Sequence, residues 1–187
     1  MNDATDGQLM ARAQAGDQEA FASIIDRYKD PLVNYLTHLC GSRSGGEELA
    51  QETFVRLYEH AANYRESGKL APYLFRIGTN LVRSESRKRK LREMLLLRFH
   101  TNGQPHEPPP DRQALQGEIQ KVVSAALQKL PPHYRAPLVL REIEGWSYEE
   151  IAGALAIPTG TVKSRIGRGR EELRKALAPY WNGGGSS

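Results

Sequence analysis

A cluster of cations near the carboxyl end of the chain has the residue types that bind a polyanion. The segment TGTVKSRIGRGREELRK (159–175) carries six lysines and arginines against Glu171 and Glu172. An arginine guanidinium can donate two parallel hydrogen bonds to one guanine edge, whereas a lysine ammonium serves a phosphate as a point charge. The segment therefore predicts contact with a nucleic acid. The alternative is a solvated helix face held by Glu–Arg pairs.

A second cluster of cations follows two tyrosines in the middle of the chain. The segment RSESRKRKLR (83–92) has six bases against Glu85, and Tyr64 and Tyr73 precede it. A dense run of cations is typical of a surface that binds a polyanion. This cluster therefore predicts a second contact with a polyanion. Two alternatives remain open, since Tyr73 could belong to the core and residues 87–90 could be a solvated helix end.

The remaining reactive side chains do not form a catalytic pattern. The five histidines lack HExxH or any other paired metal-ligand spacing, and the sequence has no phosphate-binding loop and no nucleophile elbow. A single cysteine, Cys40, excludes an internal disulfide. We therefore expect no catalytic residue, no bound metal and no cofactor, and an enzyme is a remote alternative.

Composition places the chain among ordinary globular proteins. Of its 187 residues, 39% are hydrophobic and 26% are charged, and the formal net charge is +4. The amino terminus MNDATDGQLM lacks the basic and apolar regions of a signal peptide. No apolar run approaches the roughly 20 residues that cross a bilayer. We expect a cytoplasmic protein.

The elements that must position the two basic clusters are predicted to be helices in two groups. Apolar residues recur at helical spacing on both sides of the segment TNGQPHEPPPDR (101–112), and no stretch alternates long enough to form a sheet. That segment holds four prolines, which favours an extended linker. The sequence predicts an all-α protein with two small helical domains and a flexible Pro-rich linker. The expected bounds are 1–99 for the first domain, 100–114 for the linker, 115–181 for the second domain and 182–187 for a flexible tail.

The second domain contains a helix-turn-helix pattern. Ser147 followed by Glu150 forms a capping box, which predicts a short helix from Tyr148 to about Leu155. Pro158 and Thr159 begin the next helix, and a basic second helix in such a pair lies in the major groove of DNA. At about 100° per residue, two faces separate on that helix. The buried face is predicted to hold Val162, Ile166, Gly169 and Leu173, and the outward face Lys163, Ser164, Gly167 and Arg168.

The first domain contains a helix with separate apolar and acidic faces. It is expected to span EELAQETFVRLYEH (47–60), after a turn at GSRSGG (41–46). Glu48, Glu52 and Glu59 cluster roughly opposite Phe54. The helix is therefore predicted to bury its aromatic side and to present carboxylates, either to a partner or merely to solvent.

Three segments together resemble one known family. LPPHYRAPLVLREIEGWSYEEIAGALAIPTGTVKSRIGRGREELRKAL (130–177) resembles region four of a group IV, extracytoplasmic-function sigma factor, a subunit that gives bacterial RNA polymerase its promoter specificity. EELAQETFVRLYEH (47–60) is similar to the polymerase-binding helix of region two. KLAPYLFRIGTNLVRSESRKRK (69–90) is similar to the helix that melts and reads the minus-ten element. The matches follow the family's order and cover nearly the whole chain.

The resemblance implies three sets of contact residues. Those for the duplex minus-thirty-five element are Thr161, Lys163, Ser164, Arg165, Gly167 and Arg168. Those for the minus-ten element are Tyr64, Arg65, Ser67, Lys69, Tyr73, Arg76, Asn80, Arg83, Arg87 and Lys88. Those for the clamp helices of the polymerase β′ subunit are Glu48, Leu49, Gln51, Glu52 and Val55.

The sequence departs from the family pattern at three positions of the minus-ten helix. Tyr73 stands where tryptophan is usual, Ser84 where aspartate is frequent, and Pro72 where proline is not normal. Ring stacking survives the first change. The departures therefore bear on which minus-ten sequence is read.

The resemblance also implies the partners. A factor of this kind binds core RNA polymerase through the β′ clamp helices and the β flap, directs it to promoter DNA, performs no catalysis itself and is a monomer when free. An anti-sigma factor is expected to control it. The alternative is a stand-alone helix-turn-helix transcriptional regulator, which would bind duplex DNA by itself, usually as a dimer.

Overall fold

The computed structural model describes residues 4–65, 68–99 and 116–181, and within them the chain forms eight α-helices and no strand. The helices are α1 (Asp6–Gln14), α2 (Gln18–Cys40), α3 (Arg43–Glu59), α4 (Leu70–Phe99), α5 (Gln116–Lys129), α6 (Pro132–Glu142), α7 (Tyr148–Leu155) and α8 (Thr159–Trp181), with a short 3-10 helix at Ala61–Asn63 between α3 and α4. The expected all-α class is confirmed. The predicted linker, the predicted tail and Ser67 lie outside the described residues. Among the described helices, none combines the length and apolar character needed to cross a membrane.

Helix α3 begins earlier than the sequence suggested. The predicted turn at 41–46 is wrong beyond Ser42, because α3 starts at Arg43 and the Ser42 hydroxyl caps it by accepting a hydrogen bond from the Gly45 amide at 3.2 Å. A Cβ atom at Gly46 would lie 2.8 Å from the Thr37 amide nitrogen, closer than real Cβ contacts occur. The glycines therefore do not break the helix, and Gly46 lets α3 cross α2 at close range.

Helices α1 to α4 enclose an apolar core. Helix α2 runs through Pro31 without a break and ends at Cys40, and Gly41 caps it in the left-handed region with a φ of 89°. Leu36, Leu57 and Leu74 are completely buried. This core leaves one face of α3 and one face of α4 at the surface.

The helix-turn-helix is formed by α7 and α8 on a base provided by α6. The Ser147 hydroxyl accepts from the Glu150 amide at 3.2 Å and the Glu150 carboxylate accepts from the Ser147 amide at 2.8 Å. This confirms the capping box and the bounds of α7. Val162 and Ile166 are 0% and 1% exposed beneath α8, as the face analysis predicts.

The two groups of helices, α1–α4 and α5–α8, pack against each other. Helix α4 contacts α7, and the carboxyl end of α2 contacts α5 and α6. The Phe75 and Trp146 rings lie 4.6 Å apart between their centroids, and a single cluster of buried apolar residues runs through both groups. This contact fixes where the surface of α4 lies relative to α5 and α6.

Candidate nucleic-acid interfaces

Helix α8 presents its polar face to solvent. Lys163, Ser164, Gly167 and Arg168 are exposed, while Thr161 and Arg165 are half-buried at the edges of the same face. Gly169 is buried against α6, where a Cβ atom would lie 3.3 Å from the Tyr134 carbonyl oxygen. The two faces assigned from helical periodicity are therefore observed, except that Leu173, which was predicted to be buried, is half-buried.

Some of the α8 cations are already neutralised by carboxylates. Arg170 donates to Glu142 on α6 at 2.7 Å, and Lys175 donates to Glu172 at 2.9 Å. No carboxylate of the described residues lies within salt-bridge distance of the other candidates, namely Lys163, Arg165 and Arg168. The alternative of a solvated helix face held by ion pairs therefore applies to Arg170 and Lys175. The outward face keeps positive charge that is available to an anionic partner.

Two tyrosines outside the predicted set support the exposed cations. Tyr134 on α6 lies beside the exposed Arg168 guanidinium, and their interaction raises the pKa of Arg168. Arg141 and Lys163 both lie over the Tyr148 ring, at 5.0 and 5.7 Å from its centroid. No sequence spacing links Tyr134 with Arg168, because α6 and α8 meet only through tertiary packing.

Helix α4 exposes a row of polar residues along one side. The exposed candidates are Arg76, Asn80, Arg83, Arg87 and Lys88. Arg76 lies over the Tyr73 ring at 5.3 Å from its centroid, and Lys88 forms a salt bridge with Glu85 at 2.8 Å. The side chains therefore form a polar track along α4, with the charge of Lys88 partly satisfied.

The tyrosines before α4 pack against each other. Tyr64 is only 8% exposed, Tyr73 is half-buried, and their ring centroids lie 5.3 Å apart. Arg65 and Lys69 flank the loop and are exposed. The core alternative for Tyr73 is thus partly correct, and a base could stack on Tyr64 only after that ring had moved.

A cleft of about 880 Å³ separates α4 from α5 and α6. Asn80, Arg83 and Arg87 line its α4 side, and Gln128 and Pro132 line the opposite side. The floor carries Leu39, Leu49 and Val82. The cleft is therefore basic along one wall and apolar at its base.

Helix α3 presents the acidic face that the sequence predicts. Glu48, Gln51, Glu52 and Val55 are exposed, Leu49 is half-buried, and Phe54 is 8% exposed on the opposite side. Sequence reasoning missed Tyr58, which is 58% exposed beside Val55 at 49%. Its position one helical turn after Val55 was the available signal. Together these side chains form a patch with an apolar centre and carboxylates around it.

Comparison with known proteins assigns both groups of helices. Residues 24–92 match the family Sigma-70 region 2, and residues 120–173 match the family Sigma-70, region 4. The chain is 37% identical over 169 residues to the ECF RNA polymerase sigma factor SigE of Mycolicibacterium smegmatis, covering 88% of this chain and 65% of that protein. It is 35% identical over 174 residues to the ECF RNA polymerase sigma factor SigW of Bacillus subtilis, covering 89% of this chain and 93% of that protein.

The fold is similar to that of a solved sigma factor. The sigma factor RpoE from Bartonella quintana, solved in complex with the anti-sigma factor NepR, has a TM-score of 0.68 and 25% identity to this chain, over 84% of this chain and 96% of that one. Both sigma regions are matched in order, and one relative is matched over nearly its whole length. The chain therefore belongs to the extracytoplasmic-function sigma factors of the sigma-70 family, which direct RNA polymerase to promoters.

Proposed function

We propose that three surfaces divide the work of promoter recognition in this protein. The acidic face of α3 docks on the β′ clamp helices, the polar track on α4 binds the minus-ten element as a single strand, and the outward face of α8 reads the minus-thirty-five element as duplex. The domain bounds inferred from the sequence, 1–99 and 115–181, separate the first two surfaces from the third. The observation that carries the proposal is the sidedness of α8, which buries Val162 and Ile166 and exposes cations that no described carboxylate neutralises.

For the duplex, α8 supplies both phosphate and base contacts. Arg168 is exposed on the outward face beside Tyr134. Its planar guanidinium donates to the two acceptors of a guanine. Lys163 reaches from the Tyr148 ring to a phosphate. Thr161, Ser164 and Arg165 supply shorter polar contacts along the same face.

For the single strand, α4 supplies a cationic track. Arg83 and Arg87 are spaced one helical turn apart and hold successive phosphates, and Asn80 offers an amide to a base edge. Tyr73 offers its half-exposed ring for stacking. Arg65, Ser67 and Lys69 belong to the loop that precedes the helix and complete the proposed minus-ten surface.

For the polymerase, α3 combines apolar area with charge. Val55 supplies an exposed apolar centre, and Glu48, Gln51 and Glu52 form a polar edge. Interfaces of this kind gain specificity from charge complementarity and much of their affinity from buried apolar side chains. Leu49 extends the patch toward the cleft.

The remaining features of the proposal follow from the family. Bond formation stays with the polymerase, so the chain acts as a binding factor in the cytoplasm, without a cofactor of its own, and is a monomer when free. The β flap is the proposed second contact on the polymerase, through α5–α8. An anti-sigma factor is the proposed regulator, and the fold shared with a sigma factor that was solved in complex with an anti-sigma factor supports this.

The decisive experiment is size-exclusion co-elution with bacterial core RNA polymerase, followed by run-off transcription of genomic fragments with the recovered complex. We expect co-elution and discrete transcripts that vanish without the protein. Failure to co-elute, together with specific binding of duplex DNA by the free chain, would instead favour a stand-alone regulator.

A charge reversal tests the α3 surface. Glu48→Lys places a cation in the acidic patch, and we expect the Kd for core polymerase to rise about tenfold or more because like charges then face each other. Asp30→Lys is the matched control, since Asp30 is an exposed carboxylate on α2 outside the patch. Equal Kd values for the two variants in fluorescence anisotropy titrations would contradict the assignment of this face.

A further inference from the structure

The turn that joins α3 to α4 is held by one side chain from α1. Gln14 Nε2 donates to the Ala61 carbonyl at 2.8 Å and to the Tyr64 carbonyl at 2.9 Å. A glutamine amide nitrogen has two hydrogens, so this one atom can make both hydrogen bonds. The 3-10 helix at Ala61–Asn63 and the residue after it are therefore fixed by a partner that lies 47 and 50 positions earlier in the chain.

Helix α1 is itself fixed to α2, so it gives Gln14 a rigid base. Asp6 forms a salt bridge with Arg27 and accepts a hydrogen bond from the Tyr28 hydroxyl. Leu9 is 3% exposed within the core. A side chain on a packed helix holds its partner more precisely than one on a loop. These contacts keep α1 in place on α2, and Gln14 is thereby held at the turn.

The turn leads directly into the surface proposed for the minus-ten element. The Tyr64 ring is 8% exposed and packs on the half-buried Tyr73 ring, with 5.3 Å between their centroids. Arg76 lies over the Tyr73 ring in turn, and Arg65 follows Tyr64 with its side chain exposed. A displaced Tyr64 backbone would shift Arg65 and the ring that Tyr73 packs against. The hydrogen bonds from Gln14 therefore determine where residues of the minus-ten surface lie.

The form of these hydrogen bonds indicates an effect on specificity. Gln14 carries no charge, and it donates to backbone carbonyls. Contacts with phosphates position a protein on DNA without regard to sequence, whereas contacts with bases specify the sequence. The phosphate contacts proposed for Arg83 and Arg87 lie well inside α4, beyond its first turns. Loss of the Gln14 hydrogen bonds should therefore weaken the choice between bases more than the affinity for the strand.

We propose that Gln14 is a positioning residue for minus-ten recognition, which holds the backbone at Tyr64 so that the turn and Arg65 discriminate between bases, and which does not contact the DNA. The inference rests on the proposed minus-ten role of α4 and of the loop before it. Because the effect passes through the protein, the order of the turn in the free chain should change together with promoter choice.

Promoter choice is measured with the complete polymerase complex. The templates carry each alternative base, one position at a time, across the minus-ten element of a promoter recovered by run-off transcription. The readout is the ratio of transcripts from the native base to those from each substituted base, and the Kd for core polymerase is measured beside it. The wild type should prefer the native base clearly at one or more positions.

Gln14→Met keeps the length of the side chain and removes its donors. We expect the preference for the native base to fall about fivefold at the positions read by the turn, because two hydrogen bonds to the backbone are lost. The preference at other positions and the Kd for core polymerase should not change. Gln18→Met is the matched control, since Gln18 is an exposed glutamine in the first turn of α2.

Gln14→Lys tests rescue, because a lysine ammonium restores a donor near the two carbonyls. Its added charge would strengthen binding to every template alike, and the ratio between bases cancels that gain. We expect the base preference to return most of the way to that of the wild type. A merely structural role would instead lower transcription from all templates by one factor in Gln14→Met and leave the ratios intact, which would overturn the proposal.

Hydrogen exchange separates positioning from direct contact, which must be tested because Gln14 is exposed. The Tyr64 amide donates to the Ala61 carbonyl at 3.0 Å, so its exchange rate reports the order of the turn in the free protein. In Gln14→Met this amide should exchange about threefold faster or more without any DNA present, and Gln14→Lys should restore the slow rate. Unchanged exchange together with lost base preference would mean that Gln14 touches the DNA itself, and the positioning role would be wrong.

The role of Gln14 and the proposed function fail in different ways. A base preference in the wild type that persists unchanged in Gln14→Met would overturn the role of Gln14 and leave the proposed function standing. No dependence on any minus-ten base in the wild-type complex, with co-elution and transcription intact, would overturn the minus-ten role of α4, and the role of Gln14 with it.

Discussion

At the scale of single residues, the cations differ in what they are free to do. Arg170 is paired with Glu142, Arg135 donates to backbone carbonyls, and Arg168 is exposed without a described carboxylate within salt-bridge distance. An arginine that is exposed and not neutralised is suited to base recognition, whereas a paired or buried one supports the fold. Residue type alone does not separate these roles.

Substitution of Arg168 tests recognition of the minus-thirty-five element. Arg168→Ala should reduce transcription from promoters with the native element by roughly tenfold or more and should flatten the dependence on one base pair, because a bidentate contact to guanine is lost. Arg168→Lys should keep charge without the fork and give an intermediate result. The measurement is run-off transcription from a set of point-substituted promoters.

Arg174→Ala is the control, because Arg174 is exposed on α8 but lies six residues further along the helix, on a different side. Co-elution of the Arg168 variants with core polymerase should be unchanged. Loss of polymerase binding in Arg168→Ala would contradict the role given to this residue.

Glu144 gives the protein a predictable pH dependence. Burial raises the pKa of its carboxyl, and the hydrogen bond from Asn34 opposes this in part. A carboxyl whose pKa is higher in the folded chain binds more protons there, so stability falls as the pH rises from the unfolded value of 4.5 through the folded pKa. Glu144→Gln keeps an acceptor for Asn34 without the charge.

We therefore expect Glu144→Gln to have a higher free energy of unfolding than the wild type at neutral pH. The difference should shrink as the pH falls and should vanish below the unfolded value of 4.5, where both side chains are neutral. Urea unfolding curves across this range provide the measurement. A stability difference that does not depend on pH would contradict the role assigned to burial of the charge.

At the scale of the elements, the glycines of α8 have different roles. Gly167 has open space around its Cα, whereas a Cβ atom at Gly169 would lie 3.3 Å from the Tyr134 carbonyl oxygen. Glycine weakens a helix interior by roughly 0.5–1 kcal/mol relative to alanine through backbone entropy. Gly167 therefore lowers the stability of α8 at its outward face, and Gly169 permits α8 to approach α6.

Alanine substitution separates the two cases. Gly167→Ala should raise the free energy of unfolding by roughly 0.5–1 kcal/mol, and Gly169→Ala should gain less or lose stability because the backbone at Tyr134 must shift. The free energies of unfolding are measured by urea unfolding and compared where the m-values are equal. An equal gain in both variants would show that a Cβ atom at Gly169 does not interfere with the packing of α8 on α6.

At the scale of the whole molecule, the continuous core links the two groups of helices. Buried residues from both groups form a single cluster, and Trp146 packs on Phe75 at their junction. Small chains with one continuous core usually unfold in a single transition. The two groups of helices should therefore unfold together, in a single transition of the full chain.

We expect the urea midpoint of helix content, measured by circular dichroism, to coincide with the midpoint of Trp146 fluorescence. Because the chain has two tryptophans, the fluorescence is measured in a Trp181→Phe background. A Cβ atom at Gly153 on α7 would already lie 3.7 Å from Pro72 Cβ on α4. Gly153→Leu should therefore push the two groups apart and separate the two midpoints, whereas Gly153→Ala should not. Separate midpoints in the wild type would mean that the two groups are energetically independent.

The sequence by itself determined the features that depend on neighbours along the chain. Helical periodicity assigned the faces of α3 and α8, and the Ser147 capping box located the start of α7 at Tyr148. The order of the motifs was sufficient for the family. These signals are short-range, because a helix face or a cap is specified within a few residues.

Only the tertiary structure decided the features that depend on distant partners. The close packing of α3 on α2 depends on the approach of Gly46 to Thr37, and the burial of Tyr64 follows from its packing on Tyr73. The capping of α2 by Arg135 joins residues 96 positions apart. Contacts at such separations leave no periodic trace in the sequence, so the pairing of charges, the cleft and the packing of the two groups could be recognised only once the helices were assembled.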